Sequence, residues 1–230
     1  MRTGWLLDLP LTDYREALDL QRSCVEARRS GRLENDLVIM LEHPAVFTLG
    51  RRGGRGNLLV PQEELDKRGI EVIPIERGGD ITYHGPGQLV VYFIVNLNAV
   101  QMGVRALVDA METAMVRTAA DWGITASGNN AYRGAWIGRR KLGSVGITIR
   151  RGITLHGLAL NANTDLTPFA WINPCGIAGC AMTSLAQETG GPLPMDRVRR
   201  RMAGHLADVF ELHLTTVTAS SIKEILRKWV

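Results

Sequence analysis

The residue in this sequence with the clearest chemical potential is Cys175, which lies in the segment Asn173–Gly176 (NPCG). The proline and glycine that flank it indicate a stiff turn outside regular structure, where a thiol is accessible and can act as a nucleophile. The other two cysteines carry weaker signals. Cys24 falls on the apolar face of a predicted helix and is interpreted as a buried core residue, and Cys180 is interpreted as a packing residue.

Lys141, in the segment Arg139–Ile147 (RRKLGSVGI), could activate this thiol. Cysteine attacks as the thiolate, and a neighbouring ammonium group favours that charged form. Without tertiary information an exposed hairpin lysine is the simpler interpretation, but Lys141 opens an apolar, glycine-rich strand rather than standing at the tip of the turn. The small residues that follow would let a ligand lie against the strand, with backbone N–H groups available for a carbonyl oxygen.

A third stretch, Thr154–Asn163 (TLHGLALNAN), contains His156. This histidine could serve Cys175 as a base, as in a cysteine peptidase. We favour a histidine whose ring is hydrogen-bonded within a sheet, because no aspartate or asparagine that would orient a catalytic imidazole is identifiable. Small, apolar residues follow at Gly157, Leu158 and Ala159, which suits a chain-like ligand better than a sugar or a nucleotide.

The most glycine-rich stretch is Arg77–Leu89 (RGGDITYHGPGQL). Glycine at this density lets the backbone approach a ligand closely or adopt positive φ angles. The stretch separates two apolar, β-prone runs, Glu71–Ile75 and Leu89–Leu97, and is therefore predicted to be a loop that leads into a central strand. Arg77, Thr82, Tyr83 and His84 supply polar side chains within this loop.

The elements that would position these residues follow from hydrophobic spacing and capping signals. A helix is predicted from Asp13 to Gly31, and others at Pro61–Arg68, Val104–Trp122, Asp196–Leu212 and Ile222–Trp229, the last begun by a Ser221–Glu224 capping box. Strands are also predicted at Leu37–Glu42, Val46–Leu49, Ala131–Ile137, Lys141–Ile149 and Ile153–Asn161. Short loops make the last three strands antiparallel neighbours. We expect one α/β domain of the α+β type over residues 1–230, with a mixed, largely antiparallel sheet flanked by helices.

Composition favours a globular, cytoplasmic protein. The 230 residues are 45% hydrophobic and 22% charged, with neither a bilayer-spanning apolar run nor a signal-peptide pattern. Three cysteines cannot build a disulfide framework, and the histidines lack the spacing of metal ligands, so no metal and no other cofactor is expected. The net charge of +4 includes basic clusters such as Arg51, Arg52 and Arg55, which could dock an acidic protein or nucleic acid.

Taken together, these stretches resemble the lipoyl(octanoyl) transferases, which belong with the biotin and lipoate protein ligases. The resemblance covers nearly the whole chain, because five motifs agree in order and spacing: LEHPAVFTLGRR, RGGDITYHGPGQL, RKLGSVGI, LHGLALNANTDL and INPCG. One departure lies at residues 181–185 (AMTSL), where family members often carry valine before Thr-Ser, and it concerns packing after the Cys175 loop. The resemblance implies the fold of the biotin/lipoate protein ligase catalytic domain.

The resemblance also implies an activity that needs no cofactor. Octanoate from octanoyl-acyl carrier protein would form a thioester on Cys175 and then pass to a lysine ε-amine of a lipoyl domain or of glycine-cleavage H protein. Lys141 would stabilise the thiolate and exchange protons with the thiol and the amine. The acyl pocket would be lined by Arg77 to His84, by Gly157 to Ala159, and by Ser144, Val145 and Gly146, the last three near the thioester carbonyl. Neither a nucleic acid nor a membrane is implied as a partner.

Two alternatives remain open from sequence. An ATP-dependent lipoate or biotin ligase of the same fold would activate the acid as an adenylate and would need no nucleophilic cysteine. The Pro-Cys-Gly at Cys175, the run Gly85–Gln88 (GPGQ) and the absence of a G-x-x-x-x-G-K-[ST] phosphate loop favour the transferase. A binding module that uses its basic surface on nucleic acid would bind in a salt-dependent way that does not need Cys175.

Overall fold

The computed structural model describes residues 2–227. Its strands are β1 (Arg2–Leu11), β2 (Asp36–Glu42), β3 (Val46–Leu49), β4 (Glu71–Pro74), β5 (Ile81–His84), β6 (Gln88–Ile94), β7 (Ser127–Gly128), β8 (Gly134–Ile137), β9 (Arg140–Arg150), β10 (Ile153–Asn161) and β11 (Leu212–Val217). Its α-helices are α1 (Tyr14–Arg29), α2 (Gln62–Asp66), α3 (Leu97–Val100), α4 (Val104–Ala120), α5 (Leu185–Thr189), α6 (Met195–Val209) and α7 (Ala219–Arg227). Short 3₁₀ turns lie at Arg55–Asn57, Thr167–Trp171 and Pro174–Gly176.

Eight strands form the main sheet in the order β11-β1-β2-β6-β10-β9-β8-β7. Strand β1 runs parallel to both of its neighbours, and the other adjacent pairs run antiparallel. Short turns join β8 to β9 and β9 to β10, whereas the parallel pair β1 and β2 needs the crossover helix α1. The predicted mixed, largely antiparallel sheet with flanking helices is confirmed.

The central strands β2, β6 and β10 are covered on both faces, which explains their nearly continuous apolar sequences. Successive side chains of a strand point to opposite faces. In β2, Val38 and Met40 therefore pack in the core that α4 and α6 cover. Leu37, Ile39 and Leu41 pack in the second core, which α1 and α7 cover. The active-site strands β9 and β10 are thus held against a well-packed frame.

Capping residues set the ends of the longest helices. The Asp13 carboxylate accepts hydrogen bonds from the backbone N–H groups of Arg15 and Glu16 at the start of α1. Gly31 follows that helix with a φ of 78°, and Gly123 follows α4 with a φ of 72°. Glycine adopts this left-handed conformation without strain, and the predicted end of α1 is confirmed. The predicted end of the other helix at Trp122 is two residues too late, because α4 stops at Ala120.

The edge strands β1 and β11 were not predicted. They pair in parallel with each other at one edge of the main sheet, from Arg2 with Leu212 to Leu7 with Val217. About half of their residues are exposed, so neither strand shows the apolar run of the central strands. The predicted helix to Leu212 therefore ends too late, because α6 stops at Val209.

The last helix also begins earlier than predicted. Helix α7 starts at Ala219, and the hydroxyl of Thr218 accepts a hydrogen bond from the Ser221 N–H. Thr218 therefore takes the capping position that was predicted for Ser221. Trp229, the predicted end of this helix, lies outside the described residues.

A small second sheet, in the order β4-β3-β5, carries the glycine-rich stretch. Its own core joins Phe47, Tyr83 and Phe169 in ring contacts. The prediction of one continuous loop over Arg77–Leu89 is wrong, because β5 pairs with β3 and because Gln88 already belongs to β6. A strand of four residues between glycines is too short to show a two-residue period in the sequence.

Candidate active site

Cys175 lies in a tight turn that packs beside β5. Its backbone has a φ of 58° and a ψ of 20°, the left-handed region that residues other than glycine, asparagine and aspartate rarely adopt. The turn is held by the segment Gly50–Leu58, because the Asn173 N–H donates to the carbonyl of Asn57 over 2.9 Å. The two side-chain amides also hydrogen-bond over 3.3 Å. The fold therefore holds a half-buried thiol in a strained position.

Lys141 meets this thiol. Its Nζ lies 3.4 Å from Cys175 Sγ, and its side chain is 2% exposed, so the alternative of an exposed hairpin lysine is wrong. The ammonium also lies 5.1 Å from the centre of the Trp136 ring, in a cation–π contact. The Lys141 N–H donates to Ala181 O over 2.8 Å, and its carbonyl accepts from the Thr183 N–H over 2.9 Å. These bonds tie the segment after Cys175 to the start of β9, which brings the two side chains together.

The other cysteines differ from Cys175 in burial. Cys24 is fully buried in the core under α1, as predicted, and burial raises the pKa of its thiol to about 12. Cys180 is half-buried, and burial is also the main cause that raises its pKa. Neither thiol has a lysine at hydrogen-bond distance among the described residues.

Asp80 is hydrogen-bonded to residues that hold the turn around Cys175. Its Oδ2 accepts a hydrogen bond from Asn57 Nδ2 over 2.7 Å, and its Oδ1 accepts from the Ile81 N–H over 2.6 Å. Asn57 in turn holds Asn173, as described above. Asp80 therefore links β5 to the turn that contains Cys175, and it is not among the residues that line the cleft beside that turn.

A narrow cleft of about 50 Å³ opens beside Cys175. The predicted residues that line it are Arg77, Gly78, Gly79, Thr82, His84, Ser144, Val145, Gly146, Gly157, Leu158 and Ala159. Ile81 and Tyr83 were expected there as well, but they point into the core of the small sheet. The reason is the two-residue period of β5, which turns only Thr82 and His84 towards the cleft.

Arg77 forms one wall of this cleft. Its guanidinium is buried and donates to the carbonyl and hydroxyl oxygens of Thr48 over 2.7 and 2.8 Å. Its Nε has no hydrogen-bond partner within residues 2–227. A Cβ on Gly146 would lie 3.0 Å from Arg77 Cδ, so β9 approaches this side chain closely. The arginine is thus a fixed, buried part of the wall.

Four polar rings also line the cleft: Tyr14, His84, Tyr92 and His156. Burial lowers the pKa of His84 to about 3 and that of His156 to about 4, so both imidazoles are neutral at pH 7. His84 Nδ1 donates to Gln88 Oε1 over 2.7 Å. Tyr92 is held by His43, whose Nδ1–H donates to a backbone carbonyl and whose Nε2 therefore accepts from the tyrosine hydroxyl over 2.7 Å.

His156 contradicts the expectation of a hydrogen-bonded sheet histidine. Both of its ring nitrogens are buried without a partner in the described part of the chain. Its backbone is also left-handed, with a φ of 65°, and its N–H donates to Gln21 Oε1 over 2.9 Å. This arrangement does not support the cysteine peptidase alternative. The thiol of Cys175 contacts Lys141, and the described residues show no hydrogen bond between Cys175 and His156.

Sequence reasoning missed Tyr14 and Tyr92 as cleft residues. Tyr14 lies in the predicted helix Asp13–Gly31 and Tyr92 in the predicted apolar run Leu89–Leu97, and both side chains are buried. The sequence does contain a signal for Tyr92, because a tyrosine within an otherwise apolar strand needs a hydrogen-bond partner for its buried hydroxyl. His156 was considered as a base for Cys175 and, in preference, as a hydrogen-bonded sheet histidine, but not as a cleft residue.

A wider groove of about 250 Å³, here called the outer groove, meets the cleft at Cys175. The residues that line it and not the cleft include Arg52, Val108, Ala131, Tyr132, Arg133 and Ile177. Lys141 borders it as well, so the cysteine–lysine pair stands where the two depressions join.

Comparison with known proteins agrees with this geometry. The family model that describes the lipoyl protein ligase A/B catalytic domain matches residues 13–207. An octanoyltransferase of Desulfotalea psychrophila is 45% identical over 222 residues, which cover 96% of this chain and 100% of that protein. The chain belongs to the octanoyltransferase family. An octanoyltransferase of Syntrophobacter fumaroxidans is 40% identical, with 98% and 99% of the two chains covered. The mitochondrial octanoyltransferase LIP2 of Arabidopsis thaliana is also 40% identical, with 91% and 89% covered.

Solved structures with the same fold include lipoate-protein ligase A bound with ATP, with a TM-score of 0.78 at 17% identity, over 98% of this chain and 93% of that one. Protein Ta0514 from T. acidophilum with bound lipoic acid gives a TM-score of 0.77 at 16% identity, over 98% and 94% of the chains. At these identities the similarity establishes the fold of this octanoyltransferase family member, and the predicted ligase-like catalytic fold is confirmed.

Residues 2–227 of this octanoyltransferase family member hold neither a membrane-spanning helix nor a cluster of metal-ligating side chains. No helix there is both long and apolar enough to cross a membrane. No group of three or more histidine, cysteine, aspartate or glutamate side chains in that part of the chain could hold a metal ion.

Proposed function

We propose that this chain transfers an octanoyl group from a thioester donor to a lysine ε-amine through a thioester on Cys175. The observation that carries the proposal is the 3.4 Å contact between Lys141 Nζ and Cys175 Sγ at the mouth of the cleft. A lysine this deeply buried needs a charged or polar partner, and a thiolate next to it is stabilised in return. The pair is therefore suited to covalent catalysis by cysteine.

In the first half-reaction the Cys175 thiolate attacks the carbonyl carbon of the donor thioester. A carbon–sulfur bond to the enzyme forms, the bond to the donor sulfur breaks, and Lys141 gives its proton to the departing thiolate. In the second half-reaction the neutral amine of the acceptor attacks the enzyme thioester, and Lys141 takes the proton that the nitrogen loses. The amide forms and the thiolate leaves. Exchange between thioesters is nearly isoenergetic and amide formation is downhill, so neither half needs ATP.

The cleft supplies the binding site for the acyl chain. Its walls at Val145, Leu158 and Val90 are apolar, and Gly146 and Gly157 also border it. Each methylene removed from water contributes about 0.8 kcal/mol, so an eight-carbon chain gains several kcal/mol of binding free energy. Because the histidines of the cleft are neutral, they add no buried charge next to the chain.

The donor in this proposal is octanoyl-acyl carrier protein, and the acceptors are lipoyl domains and glycine-cleavage H protein. Acyl carrier proteins of this pathway are acidic, and the exposed Arg51 and Arg52 next to the site have the complementary charge. Because this attraction acts through solvent, the apparent affinity for the carrier should fall between low and high salt. An affinity that does not change with salt would contradict electrostatic steering.

Intact-protein mass spectrometry after mixing with octanoyl-acyl carrier protein, without ATP, tests the proposal. We expect an octanoyl adduct that hydroxylamine removes, that Cys175→Ala abolishes, and that Cys24→Ala and Cys180→Ala retain. A protein that forms no adduct and turns over only with free octanoate and ATP would instead be a ligase, with a structural role for Cys175.

A further inference from the structure

The cysteine–lysine pair stands at the junction of two depressions that differ in size and lining. The cleft is narrow and mainly apolar, whereas the outer groove is about five times larger, with about 250 against about 50 Å³. Gly78, Gly79, Val145 and Gly146 border both, so the two share the wall beside Cys175. A molecule that reacts at Sγ can therefore extend into both at once.

A donor thioester has two arms that leave its carbonyl carbon in different directions. One is the acyl chain and the other is the thiol-bearing arm of the carrier. If the acyl chain occupies the cleft, the second arm must leave through the outer groove, because the cleft is too narrow for both. We propose that the outer groove binds the phosphopantetheine arm of the donor and that Arg52 contacts its phosphate. This inference rests on the proposed function.

The charges of the groove point to Arg52. The other arginine there, Arg133, forms ion pairs with Asp109 and Glu112, which compensate its charge. Arg52 is exposed and forms no ion pair within the described residues. An arginine without a carboxylate partner can form a charge-assisted hydrogen bond to a phosphate oxygen.

The backbone around Arg52 is anchored on the wall that the groove and the cleft share. The Arg52 N–H donates to Gly79 O over 3.1 Å, and the preceding N–H of Arg51 donates to Arg77 O over 2.9 Å. The position of the arginine is therefore set by the same segment that borders the acyl cleft. Val108, Tyr132 and Ile177 give the rest of the groove an apolar surface, which suits the dimethyl and amide portions of a pantetheine arm.

Two small thioesters test this proposal: octanoyl-phosphopantetheine and octanoyl-pantetheine, which differ only in the phosphate. The measured quantity is the ratio of their kcat/KM values for formation of the Cys175 thioester. We expect the wild-type protein to favour the phosphorylated donor about tenfold, the effect of one partly exposed charge-assisted hydrogen bond. The ratio should fall towards one as ionic strength rises.

Arg52→Gln should lower the ratio to about one, with circular dichroism as a check on folding. Arg139→Gln, an exposed arginine at the turn between β8 and β9 that does not line the groove, should keep the wild-type ratio. A wild-type ratio of one, or a wild-type ratio retained in Arg52→Gln, would overturn the proposal. Absence of any Cys175 thioester from either donor in the wild-type protein would instead contradict the proposed function.

Discussion

Three buried histidines should make this fold sensitive to mild acid. His43, His84 and His156 are 0%, 7% and 2% exposed. Burial is the main cause that lowers their pKa values, to about 4 for His43, about 3 for His84 and about 4 for His156. The nearby charge of Arg77 adds to the shifts of His84 and His156, and Glu76 opposes the shift of His156.

The sign and the size of the effect follow from these values. An unfolded histidine titrates near pH 6.5, so below that pH the unfolded chain binds protons that the folded chain takes up only near pH 4 and below. Stability is therefore complete above about pH 6.5 and is lost as the pH falls. Between pH 7 and pH 5 each histidine lowers the free energy of unfolding by about 2 kcal/mol. The combined loss is a large part of the roughly 5–15 kcal/mol that stabilises a typical domain.

Urea denaturation followed by circular dichroism at pH 7, 6 and 5 measures this loss. His156→Asn is the most informative variant, because asparagine tolerates the left-handed backbone and the ring nitrogens of His156 form no hydrogen bond within the described residues that would be lost. It should recover about 2 kcal/mol of the loss at pH 5. His213→Gln, at an exposed position of β11, should keep the wild-type dependence. A flat profile, or an unchanged loss in His156→Asn, would refute the reasoning.

The remaining predictions concern the active site and its packing. Lys141→Met keeps the shape of a buried, unbranched side chain but removes proton transfer, so thioester formation in rapid-quench assays should slow by about 10²- to 10⁴-fold; a wild-type rate would exclude a role for the lysine. Asp80→Ala removes the hydrogen-bond acceptor that holds Asn57. It should slow both thioester formation and alkylation of Cys175 by iodoacetamide, and Asp80→Asn should slow them less. Equal rates in the wild-type protein and both variants would contradict a role of Asp80 in holding the Cys175 turn. Gly157→Ala places a Cβ 2.1 Å from the Val91 carbonyl oxygen and should destabilise the fold by about 3 kcal/mol or more in urea titrations. The control Gly204→Ala, with open space around it in α6, should stabilise by about 1 kcal/mol.

Local signals in the sequence were sufficient for many of the elements. Asp13 and Gly31 mark the ends of α1 because a cap needs only neighbouring residues. The small residues of β9 and β10 were also sufficient to predict part of the wall of the cleft. Local signals failed for β5, because four residues between glycines show no measurable hydrophobic period. Asp80, Ile81 and Tyr83 therefore do not border the cleft, and only the pairing of β5 with β3 settles which side chains point to it.

By itself the sequence determined which residues have reactive chemistry and to which family their motifs belong. It did not determine that Lys141, 34 residues away from Cys175, is buried against that thiol. Nor did it determine that Tyr14 and Tyr92 join His156 in one cleft. The physical reason is that caps and periods depend on neighbours within a few residues. Contacts between distant segments depend instead on strand order and register, which are decided by the packing of the whole sheet.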